Sequence, residues 1–134
     1  MNILLNSFHP ICSTGTGRRA IKVHHLPPFI DGSIRREPSF ESEYPGISSL
    51  CRKGKLVNRL AVDDIIIYIT IKGNYGQSRK HWKLVSILKV NAVMEDHQTA
   101  ADWYRNRGFH VPKNCVVPGN EPLPWEFTVC HFDF

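Results

Sequence analysis

At 134 residues, with 42% hydrophobic residues and three Trp, the chain reads as one globular domain spanning 1–134, not a disordered segment. Seventeen Lys and Arg against twelve Asp and Glu leave a net charge of +5, which argues for an anionic partner. MNILLNSFHP has neither a basic n-region nor a long apolar h-region. The longest apolar run, Ile65–Ile71, is too short to span a bilayer, so a cytoplasmic protein without membrane contact is expected.

In chain order, Ile3–Phe8 reads as a first strand ended by Pro10. Ala20–Leu26 alternates Ile21, Val23 and His25 against Lys22 and His24, the pattern of a half-buried strand. On such a strand His24 and His25 point to opposite faces. Gly32, Pro38, Pro45 and Gly46 then punctuate a long irregular basic segment at about 27–60, a length that in a compact domain is usually functional or mobile.

The second half is more regular. Ile65–Lys72 is a β-branched run expected to pair antiparallel, across Gly73–Gly76, with a strand from about His81 to Met94. A strand that long should be bent, by a bulge or barrel curvature, or be two strands in series. Asp96 is a good N-cap for a helix over His97–Asn106, with Gly108 where a C′ residue belongs. Residues 109–124 are an extended proline-rich connection, and Trp125–Phe132 is expected as a closing strand. The resulting expectation is an α+β fold, a small and mainly antiparallel β-barrel with one or two short helices.

Charge is unevenly distributed. Residues 1–60 hold nine cations against four carboxylates, whereas 61–134 hold eight of each. The segment 12–38 places two Gly-interrupted turns beside the pairs Arg18–Arg19 and Arg35–Arg36. Consecutive backbone N–H groups in Ser13-Thr14-Gly15-Thr16-Gly17 can form an anion nest, and Arg supplies a planar fork for phosphate. No Walker Lys follows the last Gly, so the loop is not a nucleotide-triphosphate P-loop. Asp31 lies between the Arg pairs, and Tyr75 and Trp82 are stacking platforms for a base. The ligand-binding set is therefore Ser13, Thr14, Arg18, Arg19, Asp31, Arg35, Arg36, Tyr75 and Trp82, with Arg18, Arg19, Arg35 and Arg36 converging on one cleft with Asp31 and Tyr75.

Cys12, Cys51, Cys115 and Cys130 show no C-x-x-C spacing, so neither zinc nor a structural disulfide is expected, and no cofactor is implied.

The strings PPFIDGSIRREPSFE, YPGISSLCR, DDIIIYITIKGNYG, HWKLVSILKV and AADWYRNRG resemble the nucleotide-modification-associated domains of prokaryotes and phages over roughly residues 10–122. The stretch VDDIIIYI is also similar to the corresponding strand of PUA-like domains such as EVE, ASCH and YTH, with Asp63 where a glycine is usual. The ASCH signature is absent. The resemblance implies a PUA-like pseudobarrel holding a nucleotide or modified base between aromatic rings, near DNA modification systems.

Three function classes follow. The first is a nucleotide- or nucleic-acid-binding module, DNA favoured, that recognises a modified base in a basic, aromatic-lined cleft. The second is an enzyme on a nucleotide or nucleobase, with Asp31 or His25 as general base. The third is a small protein–protein adaptor or phage inhibitor. An enzyme requires a convergent acid–base pair in a cleft, a binding module an aromatic pocket, and an adaptor a flat apolar patch.

Overall fold

The β-branched run at the middle of the chain becomes the central strand of a three-stranded sheet. The computed structural model describes residues 1–50 and 54–128. Strands β1 (Ile3–Phe8), β2 (Ile65–Thr70) and β3 (Leu84–Lys89) lie in the order β1-β2-β3. The expected hairpin is present, but its second strand ends at Lys89 and not near Met94: β2 pairs antiparallel with β3, Ile65 opposite Lys89 and Ile67 opposite Ile87, with an irregularity between Tyr68 and Ile69. Gly73 and His81 extend the ladder by exchanging backbone hydrogen bonds.

The pairing of β1 departs from a mainly antiparallel expectation. It runs parallel to β2, from Ile3 opposite Ile65 to Phe8 opposite Thr70. Parallel neighbours need a crossover connection, and residues 9–64 supply it. The sheet is thus mixed and, among the described residues, open, with β1 and β3 as its edges. Among the described residues the fold is a small α+β arrangement with two α-helices.

Residues 20–26 are not a strand. They complete helix α1 (Gly15–His24), which starts at Thr14, whose hydroxyl accepts from the Gly17 N–H. Five alternating positions are too few to separate a period of 2 from 3.6, and packing decides. Ala20 is buried against Ile11 and Ile30, while Val23 faces solvent. A Cβ on Gly17 would lie 1.7 Å from the Ile11 carbonyl oxygen, so only glycine lets α1 sit on the turn before it. His24 ends the helix with its ring 3.9 Å from that of Phe127, and His25 caps it in the left-handed conformation, φ 55°.

Helix α2 (His97–Asn106) forms as its signals indicate. The Asp96 carboxylate accepts from the Thr99 N–H at 2.7 Å, and Gly108, at φ +75°, turns the chain away. Trp125–Phe127, expected to open a closing strand, is instead a turn of 3-10 helix headed by Pro124. Proline's fixed φ suits a first helical position or cap better than a ladder. The rest of that expected strand, 129–132, lies outside the described residues.

One face of the sheet is core. Phe8, Ile66 and Tyr68 are buried with Leu56, and Phe40, Ile47 and Leu60 close over them. The long irregular segment is therefore the lid of the core, which its lack of regular structure concealed. Among the described residues, the other face has no such cover. Across the register it presents Ile3–Ile65, then Leu5–Ile67–Ile87, then Ile69–Leu84. Ile3, Leu5, Leu84 and Ile87 are each more than 60% exposed. Among the described residues, no helix is long and apolar enough to cross a membrane.

Candidate nucleic-acid interface

Asp31 and the second Arg pair build the irregular segment from within. One Asp31 carboxylate oxygen accepts from the Ser33 N–H (3.1 Å), the Ser33 hydroxyl (2.5 Å) and the Glu37 N–H (2.9 Å), folding 31–37 into a tight loop. Burial raises the Asp31 pKa above the ordinary aspartate value, against the pull of those bonds and of Arg36. Arg36 is buried. Its Nε donates to Glu41 at 2.7 Å, Nη1 to the Asp31 and Ser33 carbonyls, and Nη2 to the Phe127 carbonyl at 2.7 Å. Arg35 donates to the carbonyls of Lys113 and Asn120.

The two Arg pairs accordingly serve different places. Arg36 meets the C-terminal end of α1 through Phe127, whereas Arg18 sits near the N-terminal end, where it donates to the Cys12 carbonyl. Six helical residues separate these positions, about 9 Å along the axis. The four arginines expected on one cleft do not share one. Arg19 is exposed on α1, Ser13 closes the turn before it, and Thr14 is the cap. The expected anion nest at 13–17 is thus a capped helix start. His25, at the far end of α1, is a backbone cap and is not brought to Asp31 by any hydrogen bond.

Arg18 is joined instead by residues of the β2–β3 hairpin. Both Arg18 and Lys83 lie close enough to favour the Cys12 thiolate, although burial dominates and raises the thiol pKa. The Lys83 ammonium lies 5.7 Å from the Phe29 ring centre. Phe29 meets Tyr75 edge-on at 5.8 Å, and Tyr75 meets His81 at 5.6 Å. His81 and Lys83 are two residues apart on an extended chain and so share a side. The His81 Nδ1–H donates to the Arg79 carbonyl at 2.9 Å, and Nε2 is buried with no hydrogen-bond partner among the described residues. Trp82 points to the opposite side, 58% exposed, with the Lys72 ammonium 4.9 Å from its ring.

Tyr75 is held in an unfavourable backbone state. Tyr75 (φ 46°) and Gly76 (φ 80°) occupy the centre of a turn closed by the Gln77 N–H to the Asn74 carbonyl. A bulky residue at positive φ stores about 1 kcal/mol or more of strain. It persists because the ring lies across Gly73, where a Cβ would come within 3.1 Å, and the hydroxyl donates to the Ile71 carbonyl at 2.5 Å.

A different region holds the larger cavity. A cleft of about 570 Å³ opens between β2–β3, residues 44–49 and α2, with Tyr44, Trp103 and Tyr104 in its walls and Ile66, Leu60 and Leu88 at its base. Glu95, Asp96 and His97 line it too, and Lys89 is its one described Lys or Arg. Behind the wall, Glu37 accepts from the Ser48 N–H and hydroxyl, both at 2.6 Å, and burial raises its pKa. Burial likewise pushes Cys115 to about 11 and Tyr104 to about 12, so neither is an anionic nucleophile at neutral pH. The Val116 N–H donates to His97 Nδ1, which places the ring hydrogen on Nε2, facing Ser49 Oγ at 3.2 Å. His97 thus donates to Ser49 and is not set to take its proton. Arg36 borders a smaller hollow of about 340 Å³ beside residues 109–113.

Lys83, Phe29 and His81 lie outside the ligand-binding set read from sequence, where Cys12 figures only among the cysteines. Lys83 and His81 lie in a stretch with a signal of its own: between Ile65 and Met94 the chain has five Lys or Arg and no carboxylate. Counting charge by halves merged that stretch with the acidic residues around α2. Among the described residues no group of three or more metal-ligating side chains occurs, and Cys12 and Cys115 are free thiols. The expectations for Cys51 and Cys130 fall outside the described residues. No protein-family model, curated protein or solved structure matches the chain.

Proposed function

We propose that the protein binds single-stranded nucleic acid through the β2–β3 hairpin and the start of α1. The observation that carries this reading is the carboxylate-free hairpin: Lys72, Arg79, Lys80 and Lys83 alternate with Tyr75 and Trp82 and are joined by Arg18. Cations neutralise phosphates and release counterions, while ring faces accept unstacked bases. An exposed Trp82 and a strained, ring-packed Tyr75 suit unpaired bases better than the shielded bases of a duplex. The preference for DNA, and a PUA-like closed barrel, follow the family resemblance and belong to the same proposal.

The test is fluorescence anisotropy with a labelled oligonucleotide across a salt series. Removing Lys83 or Arg18 should lower the salt slope by about 0.7 for each phosphate no longer neutralised. An unchanged slope in both variants would reject the hairpin as the binding surface.

A second reading, the recognition of a modified base, is supported by the aromatic cleft. Its volume falls in the range of small-ligand sites, roughly 300–1,000 Å³. Its acidic mouth suits an uncharged ring with amino groups better than a phosphate. Titration of Trp fluorescence with free nucleosides tests it, since Trp103 lines the cleft; a Trp103→Phe variant that still responds would place the ligand elsewhere. An enzymatic reading has less support, because the carboxyls with raised pKa, Asp31 and Glu37, line neither cavity.

A further inference from the structure

The uncovered face of the sheet is a surface of a different kind. Its central row, Leu5–Ile67–Ile87, is wholly aliphatic, and the flanking rows are Ile3–Ile65–Lys89 and Ser7–Ile69–Leu84. Its one charged position, Lys89, lies at the margin and pairs with Asp63 at 3.5 Å. Soluble monomers seldom leave so continuous an apolar patch open: Ile3, Leu5, Leu84 and Ile87 alone expose on the order of 450 Å².

We propose that this face is where two copies of the chain associate, sheet against sheet, with Ile67 near the two-fold axis. The extent of the patch argues for a second copy. With the part-exposed central strand included, two such faces would bury on the order of 1,100 Å² of apolar area, before any rim contribution, which reaches the threshold for a specific interface. Symmetry argues in the same direction. A two-fold interface pairs a patch with itself, so the partner must be aliphatic and uncharged at its centre, and the Leu5–Ile67–Ile87 row meets both conditions. Facing sheets pack about 10 Å apart with strands roughly 30° from aligned, so rows of Ile and Leu can interdigitate.

Trp82, two residues from Leu84 on the extended chain, borders this face, so association is measured without nucleic acid and read apart from oligonucleotide binding. Sedimentation velocity of the wild-type chain from about 1 to 100 μM should show a monomer–dimer equilibrium, the dimer at twice 15.4 kDa. Leu5→Glu and Ile87→Glu alter side chains 66% and 61% exposed, so circular dichroism should show both folded, and each should weaken the dimer at least tenfold. Mixing Ile67→Glu with Ile67→Lys chains should form a heterodimer that neither forms alone. A wild-type chain that stays monomeric throughout, including one that instead floats with neutral lipid vesicles, overturns the proposal. So does a dimer that survives both exposed-site variants, or open-ended growth with concentration.

Discussion

At the Ile65 end of β2 the sheet borders a cleft walled by Tyr44 and Trp103, with Glu95 and Asp96 in its lining and Glu37 buried behind it. At the Thr70 end the same strand runs into a hairpin with four cations and no carboxylate. Six residues of strand separate the two ends, about 17 Å, or twice the screening length at physiological salt. Each end therefore sets its own electrostatics. One fold thus offers a weakly acidic, aromatic-lined cleft and an open, basic aromatic ridge, where the sequence suggested one basic, aromatic-lined cleft. Net charge per segment is a poor guide to a site when the cations that converge come from separate segments, as Arg18 and Lys83 do.

The sharpest test of this division concerns the arginines. Arg36→Ala strips four acceptors of a buried donor, so it should destabilise the fold by about 3 kcal/mol and lower Tm by on the order of 10 °C. Arg18→Ala removes one exposed bond and should leave Tm within about 2 °C. Thermal melts of the two variants check both. Equal losses would mean that the Arg pairs act alike and that assigning one to the fold and the other to the ligand is wrong.

Next in size is stacking at the hairpin. Trp82→Ala should weaken oligonucleotide binding by about 1–3 kcal/mol with the salt slope unchanged, because a ring supports a base and neutralises no phosphate. Isothermal titration at two salt concentrations separates this from the effect of removing Lys83. A slope that falls in Trp82→Ala would show that the ring merely positions Lys72.

What was legible in the sequence follows from how local the determining physics is. The hairpin and α2 were readable because β-branched runs, a Gly-rich turn, an Asp cap and a C-terminal Gly all act within a few residues. Helix α1 was not, because Gly15 and Gly17 lower helix propensity and the reason for Gly17 is the Ile11 carbonyl across a turn. The parallel placement of β1 depends on pairing between residues more than 50 positions apart. Of the residues singled out by type, Tyr75, Trp82 and Arg18 lie around the β2–β3 hairpin, whereas the half-buried Arg35 and the buried Arg36 bond to backbone carbonyls, a role with the same sequence signature as an exposed arginine.

The cleft end yields to subtler changes. Asp96→Ala removes the α2 cap and should cost about 1 kcal/mol in chemical denaturation. Asp96→Asn keeps an equally good cap, so it should cost much less while removing one negative charge from the cleft lining. If the acidic lining is what disfavours phosphate there, Asp96→Asn should narrow the gap between nucleoside and nucleotide affinity. A gap unchanged in Asp96→Asn would mean that shape, not charge, sets it.

The smallest effect is a slope with pH, and it tests whether Glu37 is held against its charge. Burial raises its pKa above the unfolded value of 4.5, outweighing the bonds from Ser48 and Asn114. The folded chain then holds more protons than the unfolded chain between those two values. The Glu37 contribution to stability is therefore fully present below 4.5 and is lost as pH rises through the raised folded pKa. Asp31 acts in the same sense from 3.8, whereas Asp64 and Asp96, held low by backbone N–H bonds, lose stability as pH falls through their lowered values. Glu37→Gln removes the first contribution alone. Its carbonyl can still accept from the Ser48 N–H and its amide can donate to the Ser48 hydroxyl, so the loop should keep its shape. Denaturant midpoints of the two proteins should converge near about pH 4 and separate toward about pH 7, with the Gln variant the more stable. If the wild type is the more stable at neutral pH, the two Ser48 bonds outweigh burial, and the cleft end holds a settled carboxylate, not a reluctant one.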